Sequence, residues 1–586
     1  MVMSKKKDIT HERPEAEQGC VSMFGEGSVI PGMCRQATLN AYLHQAIADN
    51  ADRVAFANFK GERYTFASVS RHIARLHLMF EAMGLNAGDR IALCARNSAE
   101  WAIASVAVLS YGAVGVPVLN DFDADTIRHL IEHSRSRLLF ADSATLKRIG
   151  EVPADGLENI VDVAGFAIVS ARSGVTADDV DRAFTSRYGD DFDPAAVRFA
   201  DVAPDALMLI NYTSGSTGFS KGVMLSERAL WSNLQFCIDG LTYLHPGDRM
   251  LSMLPLAHMF GFMIEMLHPF AKGCETTFLN RTPSPKILLD AFACVRPKLI
   301  ITVPLVIEKI VRTRVFPVLR RPLMRILTAI PGVRGMIYRK VRRQMLAAFG
   351  GDMRQIIVGG AALSDEVEAF VRRIKFPLTV GYGMTECGPL ISYCEWSHQR
   401  PGSCGRVADR MEVRVDSADP VNIPGVLWVR GDNVMDGYYR NPEATDAVFS
   451  DGWMNTGDIC TVDADGYIYI RGRDKNMILG PSGQNIYPEE IEQKLNVMPL
   501  VSESIVIDGG NGRLEALIHP DYDAAGRLGL TDEAIKAQLE RDIADVNGKL
   551  PVFARISGLS VMRDEFEKTP KKSIKRYLYL KGNKAQ

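Results

Sequence analysis

Short apolar runs alternate with longer segments of mixed polarity through the first 400 residues. The runs of strand length include Arg90–Cys94, Val114–Val118 and Leu138–Ala141. The segments between them, 98–110 and 124–134, have the length and composition of helices. This alternation predicts βαβ units, in which a mostly parallel sheet is covered by helices.

The pattern changes near residue 400. Short β-rich pieces separated by turns follow, such as Met411–Val415 and Val426–Gly431, and they predict a small β subdomain. Further on, the charged residues Arg473-Asp-Lys475 separate a predicted strand, Tyr467–Arg471, from a second predicted strand, Asn476–Leu479. By itself this segment indicates a charged surface turn.

One uncharged segment, Trp101–Leu119, is as long as a membrane-spanning helix. Gly112, Gly115 and Pro117 interrupt its second half. A buried helix near 98–110 followed by a short parallel strand at 113–118 therefore fits better than a transmembrane helix.

Composition narrows the class of protein. A chain of 586 residues is long enough for several subdomains, and its net charge of −2 gives no electrostatic reason to expect nucleic-acid binding. The ten cysteines have no metal-binding spacing, which is typical of a reducing cytosol. No apolar segment follows Lys5-Lys-Lys7, so we expect a cytoplasmic protein without a secretory signal, whose residues 1–30 are disordered.

The most informative motif is the loop 212–222, YTSGSTGFSKG, which directly follows the apolar run 207–210. It predicts a buried strand that ends in an anion-binding turn, because glycines let backbone N–H groups approach a phosphate closely and Lys221 supplies a positive charge. The alternative is a polar surface turn. The spacing is not that of a Walker A loop.

Together with further motifs in the same order, this loop resembles the phosphate loop of the adenylate-forming superfamily, which includes acyl-CoA synthetases, peptide-synthetase adenylation domains and luciferases. The resemblance runs from about residue 40 to the C-terminus and is greatest to long-chain fatty acyl-CoA synthetases. The further motifs are 254–258 (LPLAH), 359–364 (GGAALS), 381–389 (GYGMTECGP), 456–458 (TGD), 472–476 (GRDKN) and 483–490 (GQNIYPEE).

The resemblance implies an α/β fold with a large N-terminal domain of parallel-rich sheets covered by helices, and a small mobile α+β C-terminal domain. The N-terminal AMP-binding domain would span 31–472, with the β subdomain at about 400–472. The hinge would be 473–475, with Lys475 at the hinge position, and the C-terminal lid domain would span 476–586.

It also implies a role for each matched residue. The residues for the β- and γ-phosphates of ATP are Thr213, Ser214, Gly215, Ser216, Thr217, Gly218 and Lys221. The residues for adenosine are Tyr382, Gly360, Ala361 and Ala362 around adenine, and Asp458 and Arg473 on the ribose. Thr385 would contact the α-phosphate, Glu386 would bind Mg²⁺, and His258 would lie beside the acyl carboxylate, with a packed core histidine as the alternative.

The sequence departs from the family near its C-terminus. The family places a catalytic lysine where an ungapped alignment of 567–576 (EKTPKKSIKR) puts Ser573. We expect Lys572, through a one-residue slip, to stabilise the charge that develops during adenylation. The alternative, that these lysines only lie on a solvated surface, stays open.

The implied reaction is ATP-dependent activation of a fatty acid, with a long chain favoured, to an acyl adenylate and its transfer to CoA, with ATP, Mg²⁺ and CoA taking part. Phe260 and Phe262 are candidates for an acyl tunnel. Two other functions stay open. One is an acyl-AMP ligase that passes the acyl group to an acyl carrier protein, and the other is a catalytically weak protein that binds acyl or adenylate ligands.

A basic amphipathic stretch suggests where a long-chain acid enters. Between Lys309 and Gly351 there are eleven Lys and Arg residues and no acidic residue, interleaved with apolar side chains. Such a stretch is typical of peripheral contact with anionic membrane, here through 309–345 on the cytoplasmic face. The alternative is a solvated basic face that packs on an acidic neighbour or meets the phosphates of CoA.

Overall fold

The larger part of the molecule is built on two mixed sheets, each mostly parallel at its centre. In this computed structural model the described residues are 37–150, 156–213, 220–281, 284–480, 484–510, 513–568 and 574–580. The predicted disorder of residues 1–30 lies outside them. The α/β fold class is confirmed, as are the predicted strands Arg90–Cys94 and Leu138–Ala141.

The first sheet has seven strands and ends in one antiparallel edge strand. Its strands, in spatial order, are Leu378–Val380, Gln355–Val358, Leu299–Thr302, Arg249–Ser252, Glu275–Phe278, Val54–Asn58 and Arg63–Thr65. All neighbours are parallel except the last pair. The central residues of the six parallel strands are buried and, apart from threonines such as Thr276 and Thr379, apolar, which is typical of a parallel sheet covered on both faces.

The second sheet has eight strands and antiparallel edges. Its strands, in spatial order, are Gly437–Tyr438, Lys221–Ser226, Leu207–Thr213, Val114–Pro117, Arg90–Cys94, Leu138–Ala141, Asn159–Asp162 and Ala167–Ala171. The strand Leu207–Thr213 pairs antiparallel with Lys221–Ser226, so the phosphate-loop motif connects the two arms of a hairpin.

Helices cover both sheets. The α-helices of the larger part are Leu39–Asn50, Phe66–Ala82, Ala99–Ser110, Ala124–Ser134, Ser143–Ile149, Ala177–Tyr188, Glu227–Gly240, His268–Ala271, Pro285–Val295, Pro304–Ile310, Phe316–Leu319, Pro322–Ala329, Pro331–Ala348, Asp365–Arg373 and Pro442–Asp446. Two π-helical turns are Gly261–Leu267 and Val311–Val315. Short 3₁₀ turns are Pro194–Ala196 and Thr385–Cys387.

The uncharged segment near residue 101 forms a buried core helix and a strand, as predicted. Every residue of Ala99–Ser110 is buried, and the strand Val114–Pro117 follows it. Within the described ranges, none of the helices combines the length and the apolar composition needed to cross a membrane.

A β-rich unit lies between residues 382 and 473, and the chain returns to the second sheet within it only for the strand Gly437–Tyr438. Its antiparallel strands are Met411–Asp416, Gly425–Gly431, Trp453–Val462, Phe449–Ser450 and Ile468–Arg473, beside a smaller sheet of Tyr382–Gly383, Leu390–Tyr393 and Arg406–Val407. The predicted strands in this region are therefore confirmed. The predicted strand Asn476–Leu479 is wrong at its start, because Asp474–Asn476 form a 3₁₀ turn and only Ile478–Leu479 pair, with Asn485–Ile486.

The C-terminal residues have a hydrophobic core of their own. The strands Val501–Asp508, Leu514–Pro520 and Ile556–Val561 form one sheet, covered by the helices Pro488–Leu495, Tyr522–Arg527 and Asp532–Asn547. Two 3₁₀ turns, Val552–Ala554 and Arg576–Leu578, complete this part. The division at 473–475 into two domains that move relative to each other stays a prediction.

Candidate active site

Three loops that carry predicted site residues leave the same edge of the seven-stranded sheet. Parallel strands place their carboxyl ends together, and ligands bind outside those ends. Ser252 ends the strand before the His258 loop, Val358 ends the strand before 359–362, and Val380 ends the strand before 381–386. The strand Leu207–Thr213 of the other sheet brings the phosphate loop, and its Asn211 donates to the Ala257 carbonyl over 2.8 Å.

The two ends of the phosphate loop are fixed by the hairpin. Thr213 pairs with Lys221 in register, and the Thr213 hydroxyl donates to the Lys221 carbonyl over 3.5 Å. Gly222 admits no side chain, because a Cβ atom there would lie 2.9 Å from Ile210 Cγ2. The predicted phosphate contacts Ser214, Gly215, Ser216, Thr217 and Gly218 lie outside the described residues.

Tyr438 connects the phosphate loop to the predicted magnesium ligand. The Lys221 ammonium lies 4.7 Å from the centre of the Tyr438 ring, and the Tyr438 hydroxyl donates to Glu386 Oε1 over 3.0 Å. Thr385 and Glu386 form the 3₁₀ turn 385–387, which is anchored by Met435 N–H donating to the Glu386 carbonyl over 2.9 Å. Sequence analysis missed Tyr438, whose only signal was an aromatic residue after Gly437.

Glu386 fits the chemistry of a magnesium ion. Mg²⁺ prefers oxygen ligands and keeps several waters, so it needs only one or two protein carboxylates in addition to nucleotide phosphates. Glu386 is partly exposed, and Tyr438 engages only one of its two carboxylate oxygens. The described residues contain no cluster of three or more Asp, Glu, His or Cys side chains that could hold a metal ion without other ligands.

Tyr382, Asp458 and Arg473, all predicted to bind adenosine, are in direct contact. The Tyr382 hydroxyl donates to Asp458 Oδ2 over 2.5 Å, and Arg473 Nε lies 2.8 Å from Asp458 Oδ1. The Asp458 backbone N–H donates to Thr456 Oγ1 over 3.1 Å, and this bond fixes the backbone from which the Asp458 side chain extends. The three residues come from two neighbouring sheets, so the fold assembles the cluster from distant parts of the chain.

Burial sets the electrostatics of this cluster. Asp458 is 3 % exposed, and this burial raises the pKa of its carboxyl group, while Arg473 opposes the shift. Burial also holds the pKa of the Tyr382 hydroxyl well above its ordinary value, with Asp458 adding to the effect. The tyrosine therefore stays a hydrogen-bond donor, and the carboxylate keeps two acceptor oxygens of the kind that ribose hydroxyls require.

The glycine motif 359–362 lies beside Gly381, the residue before Tyr382. Gly360 has a φ of +82°, a conformation that favours glycine, and Gly360, Ala361 and Ala362 are exposed after the strand Gln355–Val358. A Cβ atom on Gly359 would lie 3.2 Å from Phe260 Cε1 and 3.4 Å from the Gly381 carbonyl oxygen. The motif therefore packs against the segment that carries Tyr382.

His258 lies on a loop that ends in the π-helical turn. Its N–H donates to the Pro255 carbonyl over 3.0 Å, and its carbonyl accepts from Phe262 N–H over 2.8 Å. Phe260 lines an apolar cavity together with Phe236, Cys237, Leu241, Ile264, Ile357, Gly381, Leu390 and Tyr393. Phe262 does not line this cavity: it is fully buried, and its ring meets Trp101 edge to face at 6.1 Å.

The hinge candidate Lys475 is exposed in the 3₁₀ turn, beside Asn476, whose side chain donates to Glu489 Oε1 over 2.5 Å.

Lys572 lies outside the described residues, as does Ser573. The two ends of their segment are held on the C-terminal sheet. Lys568 bridges to Ile574, and Arg576 donates to both carboxylate oxygens of Glu492, each over 2.6 Å.

Two family models match the chain. The AMP-binding enzyme model covers residues 43–439, and the AMP-binding enzyme C-terminal domain model covers residues 475–585. The chain therefore belongs to the AMP-binding enzyme family. By class it is an AMP-forming acid–thiol ligase that uses ATP.

Individual relatives agree with this assignment. The long-chain-fatty-acid–CoA ligase FadD15 of Mycobacterium bovis is 32% identical over 492 residues, 78% of either chain. A 4-coumarate–CoA ligase of Vanilla planifolia is 26% identical over 490 residues, 80% of this chain and 81% of its own. The crystal structure of the anthranilate CoA ligase AuaEII in complex with anthranoyl-AMP shares the fold, with a TM-score of 0.74 at 19% identity over 93% of this chain and 97% of its own.

Proposed function

We propose that this protein activates a fatty acid with ATP and transfers the acyl group to CoA. The carboxylate attacks the α-phosphate of ATP, the bond to pyrophosphate breaks, and the resulting acyl adenylate is attacked by the CoA thiolate, which releases AMP. The observation that carries the proposal is the contact of Asp458 with Arg473 and with Tyr382, which lies four residues before Glu386. Tyr438 in turn contacts both Glu386 and Lys221.

The first step brings two anions together, so the site has to reduce their repulsion. Lys221 offsets phosphate charge from the end of the hairpin, and Glu386 would hold Mg²⁺ against the phosphates. The bound ion would supply further positive charge. Asp458 and Arg473 hold the ribose, Tyr382 packs on adenine, and Thr385 donates to the α-phosphate. These assignments position the nucleotide and leave its bonds to react.

The apolar cavity behind Phe260 favours a fatty acid. Its lining is made by apolar and aromatic side chains together with Gly381, and it begins next to the loop of His258. The cavity measures only about 20 Å³, so an alkyl chain would enter it only if Phe260 and the neighbouring side chains moved apart. Each methylene buried in that way would contribute about 0.8 kcal/mol. The fatty-acid ligase named among the relatives agrees with this choice, whereas the 4-coumarate ligase makes an aromatic acid the competing substrate.

Pyrophosphate release on a panel of acids tests the proposal. We expect release with fatty acids, rising with chain length toward long chains, and little release with 4-coumarate. A stronger response to 4-coumarate would overturn the acyl assignment. Silence with every acid would favour the catalytically weak binding protein.

CoA and an acyl carrier protein are compared directly as acceptors. We expect the purified protein to convert its acyl adenylate to a thioester with CoA and to leave a carrier protein unmodified. The opposite result would make it an acyl-AMP ligase.

We propose that Lys572 stabilises the charge formed in adenylation. Pyrophosphate release by Lys572→Ala tests this role, and unchanged release would refute it.

We further propose that the basic helices at 309–345 contact anionic membrane, where long-chain acids partition. Leu323, Ile326 and Met336 are each more than 60 % exposed, among the arginines of the same helices. Arg312 and Arg320 pair with Glu366, as the alternative of an acidic neighbour predicted. Within the described ranges Arg325 and Arg334 have no ion pair, and each basic residue near an anionic surface contributes about 1 kcal/mol.

Liposome flotation tests the membrane contact. The wild-type protein should float with vesicles that contain anionic lipid. The triple variant Arg321→Gln, Arg325→Gln, Arg334→Gln should stay in the fraction without vesicles. The matched control neutralises three exposed arginines elsewhere, Arg172, Arg182 and Arg430, which form ion pairs on the surface. Equal recovery of the two triple variants would refute the proposed surface.

A further inference from the structure

Three polar side chains from three different elements hold the backbone of the loop that leads to His258. Asn97 donates to the Leu254 carbonyl over 2.6 Å and accepts from Leu256 N–H over 2.9 Å. Asn211 donates to the Ala257 carbonyl over 2.8 Å from the strand that enters the phosphate loop. The third side chain is Glu265, and it differs from the other two in carrying an ionisable group.

Glu265 receives three donors on one carboxylate oxygen. Its Oε2 accepts from the Ser252 hydroxyl over 2.8 Å and from the N–H groups of Met253 and Leu254, each over 3.1 Å. Met253 N–H also lies 3.3 Å from Oε1. The carboxylate thus binds the residues at which the strand Arg249–Ser252 ends and the loop begins.

The placement of this carboxylate is costly. Glu265 is fully buried, and no basic side chain among the described residues forms an ion pair with it. Burial raises the pKa of its carboxyl group to about 8, and the three donors oppose that shift. A buried carboxyl group without a counter-ion lowers stability unless its hydrogen bonds compensate, so an apolar residue would serve the core better.

The surrounding backbone is equally specialised. Glu265 belongs to the π-helical turn Gly261–Leu267. Such turns are rare in proteins as a whole, and those that occur are often found at functional sites. Gly261 lies so close to the loop that a Cβ atom there would be 2.7 Å from the Pro255 carbonyl oxygen. The π-helical turn and the loop therefore fit each other through backbone contact as well as through Glu265.

We infer that Glu265 is a positioning residue, which fixes 252–254 so that His258 faces the carboxylate of the acid. This inference rests on the proposed function, because it assigns His258 to the acid side of the site. It follows that loosening the loop weakens capture of the acid and leaves nucleotide binding intact, since Asp458 and Arg473 lie on other elements.

Kinetics of Glu265→Gln test this inference. The amide keeps the volume, and whichever way it is turned its NH₂ group meets the Met253 N–H, which lies 3.1 Å from Oε2 and 3.3 Å from Oε1. We expect the KM for the acid to rise about three- to tenfold, as for loss of one hydrogen bond. The KM for ATP should stay within about twofold, while Glu265→Asp, which keeps the carboxyl group on a shorter side chain, should recover part of the loss. Amide exchange of residues 253–258 should accelerate.

Ser252→Ala serves as a milder variant in case Glu265→Gln folds poorly, since it removes one of the three donors. We expect Ser252→Ala alone to raise the KM for the acid less than Glu265→Gln does. In the double variant, Ser252→Ala should add no further rise to that of Glu265→Gln. The matched control is Glu368→Gln, because Glu368 is also buried and binds a backbone N–H, that of Gly402, away from the site.

The outcomes are distinct. An acid-selective rise of KM with local acceleration of exchange supports the positioning role. If both KM values change together, or if Glu265→Gln lowers activity only as far as Glu368→Gln does at equal stability, Glu265 is a structural residue. Wild-type protein that releases no pyrophosphate with any acid would instead refute the proposed function itself.

Discussion

At the scale of single residues, Asp458 is the carboxylate that we propose to bind the ribose, and it contacts both Tyr382 and Arg473. Asp458→Asn removes the negative charge between Tyr382 and Arg473 and weakens the acceptors for the ribose. We predict a rise in the KM for ATP of about ten- to a hundredfold, because hydrogen bonds to charged groups contribute about 1.5–3 kcal/mol. Initial rates of pyrophosphate release at saturating acid measure it.

The matched control for this change is Asp463→Asn. Asp463 also binds one tyrosine and one arginine, Tyr469 over 3.0 Å and Arg400 over 2.6 Å, in the same β-rich unit. Its substitution should leave the KM for ATP within about twofold. If both variants raise the KM equally, the effect is structural and Asp458 has no special role.

Lys221 and Tyr438 should act as a unit. Lys221→Met removes the charge that we propose to lie close to the phosphates, and it should slow adenylation by about 10²–10³-fold. Tyr438→Leu removes both the ring under the ammonium and the hydroxyl on Glu386, and it should slow adenylation by a smaller factor. Because the two side chains are in contact, the double variant should be faster than the product of the two single effects predicts.

Single-turnover pyrophosphate release measures the four corners of this cycle. Tyr439→Leu is the control, because that neighbouring ring packs edge to face on His133 at 5.8 Å, away from Lys221. Strict multiplicativity of the Lys221 and Tyr438 effects would show that the cation–ring contact has no energetic consequence for the reaction.

At the scale of elements, the Arg576–Glu492 pair should hold the segment that contains Lys572. Both side chains are largely buried, and Arg576 also donates to the Val506 carbonyl over 2.8 Å. Arg576→Met leaves Glu492 buried without its counter-charge, which typically costs about 3–5 kcal/mol. We predict faster amide exchange over 501–508 and slower adenylation.

The exposed pair of Arg563 with Asp532, 3.6 Å apart, provides the comparison. Arg563→Met should change neither exchange nor adenylation appreciably, because exposed ion pairs contribute about 0–1 kcal/mol. Adenylation that survives Arg576→Met unchanged, despite faster exchange, would separate this anchor from catalysis.

Elements with a strong apolar pattern could be predicted from the sequence, and elements formed by tertiary contact could not. Arg90–Cys94 and Ala99–Ser110 are apolar enough to be identified alone. The apolar run 477–479 predicts a strand that begins at Asn476, yet the backbone turns there, with Met477 N–H donating to the Asp474 carbonyl over 3.2 Å. No local pattern encodes that turn.

The site shows the same division. Tyr382, Asp458 and Arg473, which the structure brings into contact, could be proposed together from the sequence because short polar motifs in a fixed order carry the family resemblance. Tyr438 and Glu265 were missed, since each takes its meaning from a partner distant in the sequence: Glu386 for Tyr438, and Ser252 for Glu265 within an otherwise apolar run. Phe260 and Phe262 look equivalent in the sequence, and only the packing separates a cavity wall from a core residue.

At the scale of the whole molecule, the buried histidines make stability depend on pH in a direction that can be worked out. Burial lowers the pKa of His268 to about 3 and that of His77 to about 4. In the unfolded chain each histidine has a pKa near the ordinary value of 6.5 and is protonated below that pH. In the folded state the same histidine stays neutral until the pH is far lower. Each histidine therefore lowers the free energy of unfolding as the pH falls below about 6.5.

The buried carboxyl group of Glu265 acts in the opposite direction, because its raised pKa makes the folded state bind a proton earlier than the unfolded chain. The net slope of stability against pH thus mixes both signs, so a single curve identifies no residue. Comparison of one variant with wild type removes the shared contributions. His268 is the residue of choice, since both of its ring nitrogens lack a hydrogen-bond partner among the described residues.

We predict that His268→Leu flattens the acid side of the stability curve. Between about pH 6.5 and pH 4 the wild-type free energy of unfolding should fall faster than that of the variant by about 1.4 kcal/mol per pH unit. Urea unfolding at half-unit steps of pH measures both curves, and the exposed His398 gives the control His398→Leu, which should run parallel to wild type. Parallel curves for His268→Leu as well would mean that the folded protein and the unfolded chain bind a proton at His268 over the same pH range, and that burial does not lower the pKa of this histidine.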